Sequence, residues 1–187
     1  MKILVIIQIV VFILGTIFLI LVSKKFLKNT KVHGFYRFFV FEFILALVIL
    51  NFPYWFINPY SPQQIFSWIF LIVSTYLVIV SVYFFKKYGM SKKREGPSTN
   101  YKFEDTVNLV KEGVYKYIRH PMYSSLLFLS LGALFKNISI ITIGLTAIII
   151  LFLNLTAKVE EKEDVNFFGN SYLEYMKDTK MFIPYIF

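Results

Sequence analysis

Gly113-Val114-Tyr115-Lys116-Tyr117-Ile118-Arg119-His120-Pro121-Met122-Tyr123 opens two long apolar runs, Met122–Phe135 and Ile138–Ala157. Proline is favoured at the first position of a helix, where its missing N–H is an orphan anyway. The residue before proline is pushed out of the α region. His120 therefore reads as the N-cap of a helix that starts at Pro121, with Arg119 beside it. His120 is one of 2 histidines in the chain. A cation pair at the N-terminus of a helix is suited to an anionic ligand group.

Working outward, three more apolar runs precede this stretch: Ile3–Val22, Phe38–Ile57 and Ile65–Phe85. The chain of 187 residues is 57% hydrophobic and 20% aromatic. Its long uncharged runs predict an all-α, polytopic membrane bundle of five transmembrane segments in one domain over residues 1–187. Residues 1–85 carry the first three segments, and residues 86–187 carry the hairpin and the tail. The first run is too long for the apolar part of a cleaved leader and lacks a small-residue cleavage site. The fourth run is short: 14 residues rise about 21 Å against a hydrocarbon core of about 30 Å. Either it thins the bilayer, or Arg119 and His120 sit sunk below the headgroups, which is the preferred reading.

Charge sets the expected orientation. With the N-terminus outside and the C-terminus cytoplasmic, 18 of the 20 basic residues face the cytoplasm, leaving Lys2 and Lys136 outside. That bias accounts for the net charge of +9 without nucleic acid. It also puts the Arg119-His120 stretch, loop 86–119 and the tail on one cytoplasmic face. Lys136-Asn137 reads as a two-residue hairpin turn, which returns the chain to the motif. There stand Glu160, Glu161, Glu163 and Asp164 on a helix running to about Phe168. A turn at Gly169 and an amphipathic helix over Ser171–Lys177 follow. The apolar end, Met181–Phe187, is too short to span and is expected to dock in the interface or cover the site. Residues Ser91–Ser98 read as loop.

The two constellations together resemble the isoprenylcysteine carboxyl methyltransferase and phospholipid methyltransferase superfamily. Gly113-x-Tyr115-x-x-x-Arg119-His120-Pro121-x-Tyr123 is similar to its RHPxYxG signature. Glu160-Glu161 with Phe168-Gly169, Tyr172, Tyr175 and Pro184 is similar to its C-terminal acidic motif. The likeness covers roughly 107–187, with Ser125 where the family often has glycine. It implies S-adenosylmethionine as cofactor and a lipophilic acceptor reached from the bilayer. It implies Arg119, His120 and Glu161 as catalytic residues, and Tyr115, Pro121, Tyr123 and Glu160 with them as the cofactor site. The residue chemistry agrees. Arg119, His120 and the helix N-terminus can meet the cofactor's carboxylate. Glu160 and Glu161 can meet its ammonium and ribose hydroxyls, one of the two facing the site more directly. Tyr115, Tyr117 and Tyr123 can lie against its sulfonium. The expected acceptor is an isoprenylcysteine-type carboxylate. The alternatives are a phospholipid amine, a nicotinamide-dependent membrane reductase such as those acting on sterols, and a non-catalytic scaffold.

Other residues carry structural expectations. Glu42 lies four or five residues into the second run and reads as site or structure equally. His33 is expected to be exposed, and Glu163 and Asp164 to form a solvated face. Tyr54, Trp55, Tyr60 and Trp68 read as an aromatic belt. Gly132 and Gly144 read as helix-packing positions. Without cysteine, disulfides and thiolate metal sites are excluded, and no His/Asp spacing suggests a metal.

Overall fold

The computed structural model describes residues 2–90 and 106–185, so the expected loop Ser91–Ser98 lies outside the described residues. Six α-helices follow in order: α1 (Lys2–Ser23), α2 (His33–Asn51), α3 (Pro62–Tyr88), α4 (Pro121–Leu134), α5 (Ile140–Phe168) and α6 (Asn170–Asp178). Among the described residues, two 3₁₀ turns, Phe52–Tyr54 and Gly113–Lys116, complete the helical structure. Helices α1, α2 with its 3₁₀ extension, α3 and α5 are long and apolar enough to cross a membrane, and α4 is the shorter apolar helix. The five-segment expectation is thus met by four helices of spanning length and one of 14 residues.

In space, α1 packs on α2, α2 on α5, α5 on its hairpin partner α4, and α4 on α3. The α3–α4 and α1–α2 joints carry polar contacts, as expected where lipid offers no hydrophobic drive for helices to associate, whereas α2 and α5 meet through an apolar core. Ser67 and Ser74 of α3, seven residues apart, donate to the carbonyl oxygens of Gly132 and Ser125 in α4, each at 2.7 Å. Gln8 of α1 donates to the Ile49 carbonyl oxygen at 2.7 Å. Thr16 of α1 donates to Glu42 Oε1 at 2.6 Å, so that Glu42 joins α1 to α2. Gly132 is a packing position, since a Cβ there would lie 2.8 Å from Leu71 of α3. Gly144 is not, because nothing stands within 4 Å of a Cβ built on it.

The end of α4 shows how its short length is tolerated. The last carbonyls of a helix lack partners, and here side chains from other helices supply them. Asn51 donates to Ala133 O at 2.7 Å, Gln63 to Phe135 O at 2.8 Å and Gln64 to Lys136 O at 3.1 Å. Lys136 is not the exposed turn residue its charge suggests. It is 2% exposed, with its Nζ 3.4 Å from the Trp68 ring centroid and 5.3 Å from that of Trp55. Gln64 Oε1 accepts from it at 3.0 Å. The two tryptophans therefore form a cation–π cage around it. Ser139 then starts α5 with a capping box shared with Thr142.

The opposite end of the bundle gathers the start of α2, the end of α3, the start of α4 and the end of α5. His33 is fully buried there, contrary to the exposed reading. Val32, the N-cap of α2, offers no side-chain cap. The Glu163 carboxylate does so from α5, accepting from the His33 main-chain N–H at 3.0 Å and lying 2.7 Å from its Nδ1. Glu163 is thus a half-buried cap across two helices rather than part of a solvated face.

Two glycines take positive φ, Gly113 and Gly169, both at +61°. At Gly113 a Cβ would also meet the Phe84 ring of α3 at 2.4 Å, whereas at Gly169 nothing lies within 4 Å. A left-handed backbone costs an L-residue roughly 1–2 kcal/mol. Thermal unfolding in detergent is expected to rank the variants accordingly. Gly113→Ala loses the most, Gly169→Ala loses less, and Gly144→Ala keeps or gains stability. Equal Tm values for Gly113→Ala and Gly169→Ala would contradict the contact with Phe84.

Candidate active site

His120 is the N-cap of α4, with φ −118° and ψ 60°, and Pro121 occupies the first turn as expected. The surrounding backbone is held by the tail. Arg119 N–H donates to Lys180 O at 2.8 Å, His120 N–H to Met181 O at 3.1 Å, and Lys180 N–H to Tyr117 O at 3.1 Å. These bonds make a short parallel bridge between Ile118 and Lys180. Ser124 Oγ adds a bond to Phe182 O at 2.7 Å, and the Phe182 side chain is buried at 2% exposure. The tail therefore docks on the motif itself.

Arg119 ties α5 to α6. Its Nε donates to Glu161 Oε1 at 2.7 Å, and its Nη1 donates to the carbonyl oxygens of Met176, at 3.3 Å, and Thr179. Those carbonyls close the C-terminal end of α6, where a cation is favoured. His120 sits between the two glutamates. Its Nδ1 is 3.3 Å from Glu160 Oε2, and its Nε2 is 3.4 Å from Glu161 Oε1. Nε2 is buried without a well-formed hydrogen bond among the described residues. The imidazole lies flat against Tyr123, centroids 5.4 Å apart and planes 15° apart. Burial by itself would push the imidazole pKa down. The facing carboxylates of Glu160 and Glu161 outweigh it and hold the pKa up at about 9. His120 is accordingly a cation at neutral pH.

Around this cluster lies a cavity of about 280 Å³, close to the lower bound of small-molecule sites. Its charged lining comes from helix ends: Arg119, His120, Glu160 and Asp164, with Arg37 from α2. Tyr115, Tyr123, Phe168, Tyr172 and Tyr175 supply aromatic surface. Phe41, Val78, Val82, Met122 and Leu126 lie further along their helices and supply an apolar wall. Tyr175 donates to Tyr115 O at 2.6 Å, and Tyr115 to Ser81 O at 3.4 Å, so α6 is linked through the 3₁₀ turn to α3. Burial, with Asp164, Glu160 and Glu161 nearby, pushes the Tyr172 hydroxyl pKa far up. Burial does the same to Tyr175 against the opposing charge of Arg119. Both remain neutral phenols.

Among the residues read from the sequence, Tyr115, Arg119, His120, Pro121, Tyr123 and Glu160 line this cavity. Glu161 does not line it. One position further round α5, it faces away and holds Arg119 and His120 from behind, so Glu160 is the glutamate that looks into the cavity. Tyr117 is also outside, 46% exposed and packed against Tyr185. Two charged lining residues were not read as such. Asp164 was assigned to a solvated face. Arg37 was counted only as a loop charge, although an arginine among lysines suits a buried ionic site. Among the described residues no cluster of His, Cys, Asp and Glu could hold a metal ion.

A Xenopus laevis protein named protein-S-isoprenylcysteine O-methyltransferase is 34% identical over 84 residues, 44% of this chain and 29% of its own length. Proteins of the same name from Schizosaccharomyces pombe and Homo sapiens are each 35% identical, over 80 and 85 residues. These stretches cover 34% and 29% of the two relatives. The chain therefore matches about a third of the length of these curated relatives. No solved structure matches the chain significantly. The sequence profile of the isoprenylcysteine carboxyl methyltransferase family matches residues 68–165, just over half the chain, taking in both Arg119-His120-Pro121 and Glu160-Glu161. By that match, this chain belongs to the isoprenylcysteine carboxyl methyltransferase family.

Proposed function

We propose that this protein is an integral membrane methyltransferase that uses S-adenosylmethionine to esterify the carboxylate of an isoprenylcysteine-type acceptor. The carrying observation is the placement of His120, with its ring nitrogens 3.3 Å from Glu160 and 3.4 Å from Glu161, at a cavity that passes from helix ends into an apolar wall. The names of the relatives and the family match support the reaction class. We also place the N-terminus outside and the site on the cytoplasmic face. The lysine and arginine distribution supports that orientation.

The donor set fits the cofactor. His120, whose buried Nε2 lacks a well-formed hydrogen bond, and the N–H groups at the start of α4 suit its carboxylate. Glu160 and Asp164 suit its ammonium, and Tyr115, Tyr123, Phe168 and Tyr172 supply faces for its ring and sulfonium. When bound, S-adenosylmethionine supplies a methyl carbon that a carboxylate oxygen attacks in line, the C–S electron pair staying on sulfur and a methyl ester forming with no proton released. The chain's own residues then need to position, neutralise charge and exclude water. Arg119 and Glu161 act as positioning residues, because their pairing holds α5 and α6 against the N-cap. His120 is already protonated and is not available as a base at neutral pH. That state suits a carboxylate acceptor, which requires no base, better than an amine, which does.

The direct test is transfer of labelled methyl from S-adenosylmethionine by detergent-purified protein, offered S-farnesylcysteine derivatives and extracted membrane lipids in parallel. Base-labile label on the farnesylcysteine carboxylate is expected. Label found only on lipid amines would replace this reading with the phospholipid one. His120→Ala and Glu160→Gln are each expected to weaken cofactor binding about tenfold or more, and unchanged binding in both would remove the assigned roles. The pH dependence has a definite sign. His120 has a folded-state pKa of about 9, above its ordinary value of about 6.5, so its ion pairs stabilise fully below about pH 6.5 and are lost as pH rises through about 9. Tm is expected to fall between pH 6.5 and 9.5 in the wild type. In His120→Gln this fall should largely disappear, and a fall of the same size there would assign the pH dependence to another group.

A further inference from the structure

Helices α5 and α6 each give only one face to the cavity. On α5 that face carries Glu160, Asp164 and Phe168, and on α6 it carries Tyr172 and Tyr175. Their other faces meet in a second groove, of about 370 Å³. Lys158, Glu161, Lys162 and Val165 line it from α5, and Leu173 and Met176 line it from α6. Spacings of three and four residues put each set on one side of its helix. Groove and cavity stand back to back. Glu161 lines the groove and accepts from Arg119 Nε at 2.7 Å. Met176 lines it too, and its carbonyl oxygen accepts from Arg119 Nη1 at 3.3 Å.

The position of the groove along α5 says what reaches it. With α5 as a membrane span, its apolar residues 140–157 rise about 27 Å against a hydrocarbon core of about 30 Å. Lys158 then stands at the edge of the core, and Lys162, one turn on, about 6 Å further out. That is headgroup depth, since a bilayer with its headgroups is about 40–45 Å thick. Both lysines are exposed. Ile148 and Leu151, 38% and 56% exposed, and then Leu155 lead along the same face of α5 to Lys158 and Lys162. The stripe turned to the lipid tails thus ends in two cations at the groove.

Its charge is one-sided. Lysines one turn apart on a helix repel, and no described residue makes an ion pair with either. Glu161, between them in the sequence, is taken by Arg119. The rest of the wall is apolar at Val165, Leu173 and Met176, and Leu173 is 44% exposed. The complement is a phosphate with apolar groups attached that arrives from the lipid side. A zwitterionic headgroup would bring its own cation against the two lysines, so a net negative one fits better.

We propose that the groove between α5 and α6 binds the headgroup of an anionic phospholipid, with its phosphate bridging Lys158 and Lys162. This lipid is a bound partner and not a methyl acceptor, because α5 stands between it and the cavity. It also serves the cluster behind it. Lys158 and Lys162 flank Glu161 on one helix face and compete with Arg119 for its carboxylate. A phosphate that engages both lysines leaves Glu161 to Arg119, and so steadies the hold of α5 on α6.

The test titrates the full chain in neutral detergent with dioctanoyl phosphatidylglycerol, dioctanoyl phosphatidylcholine, inorganic phosphate and oligoglutamate. Binding is read by native mass spectrometry and by the rise in Tm that a ligand of the folded state produces. Phosphatidylglycerol is expected to bind about tenfold or more tightly than phosphatidylcholine and to raise Tm. In Lys158→Gln/Lys162→Gln the two lipids should come within about threefold of each other, and Lys158→Arg/Lys162→Arg should keep the preference. Lys86→Gln/Lys87→Gln removes the same charge from the exposed last turn of α3 and should keep it as well. Equal binding of the two lipids by the wild type would overturn the proposal, and this arm needs no variant to fold. A loss of preference shared by both glutamine variants would overturn it by assigning the effect to surface charge at large. Inorganic phosphate or oligoglutamate binding as tightly as phosphatidylglycerol would assign the groove to a soluble anion or an acidic peptide instead.

Discussion

The contact on which this structure depends is the meeting of Arg119 and His120 with Glu160 and Glu161. Four ionisable side chains share a small volume between two apolar helices, where an unpaired charge would be prohibitive. Each is answered: Arg119 by Glu161 at 2.7 Å, and His120 by both carboxylates at 3.3 and 3.4 Å. Removing one member strands its partner, so the pairs constrain more than they stabilise. They oblige α5 to return beside the start of α4, and α5 extends 29 residues to bring its glutamates there. At about 1.5 Å per residue it is roughly 43 Å long, well beyond a hydrocarbon core.

The remaining elements are arranged around that requirement. Because α4 is short, its last carbonyls end inside the bundle, and Asn51, Gln63 and Gln64 answer them. The Lys136 cage closes the same end and fixes the hairpin at its turn. At the other end, α6 presents its terminal carbonyls to Arg119, and the tail lays its backbone beside residues 117–120. Glu163 reaches from α5 to cap α2, which sets Arg37 and Phe41 over the cavity.

Much of this was legible in the sequence. The apolar runs foretold the helices, and His120-Pro121 foretold the start of α4. Gly169 marked the break before an amphipathic helix whose buried face is Tyr172 and Tyr175. Patterns of period and punctuation are local, and they were read correctly for that reason. The readings that failed concern partners far away in the chain. His33 looks exposed in a lysine-rich loop until Glu163, 130 residues later, is brought beside it. Asp164 and Arg37 differ from their solvated neighbours only in what the fold sets across from them. The adjacent pair Glu160-Glu161 could be located but not divided, since the division depends on the rotation of α5.

The tail contributes to the motif mainly through main-chain oxygens. Thr179, Lys180, Met181 and Phe182 each offer a carbonyl to residues 119–124. Carbonyls do not vary with the side chain, so with Phe182 and the buried Thr179 set aside, identity matters little along this strand. Spacing matters a great deal, because one inserted or deleted residue would move every acceptor out of step with its donor. The imprint of this interaction on related sequences would accordingly be a fixed distance between the acidic helix and the segment that matches Thr179–Phe182, with few fixed letters within it.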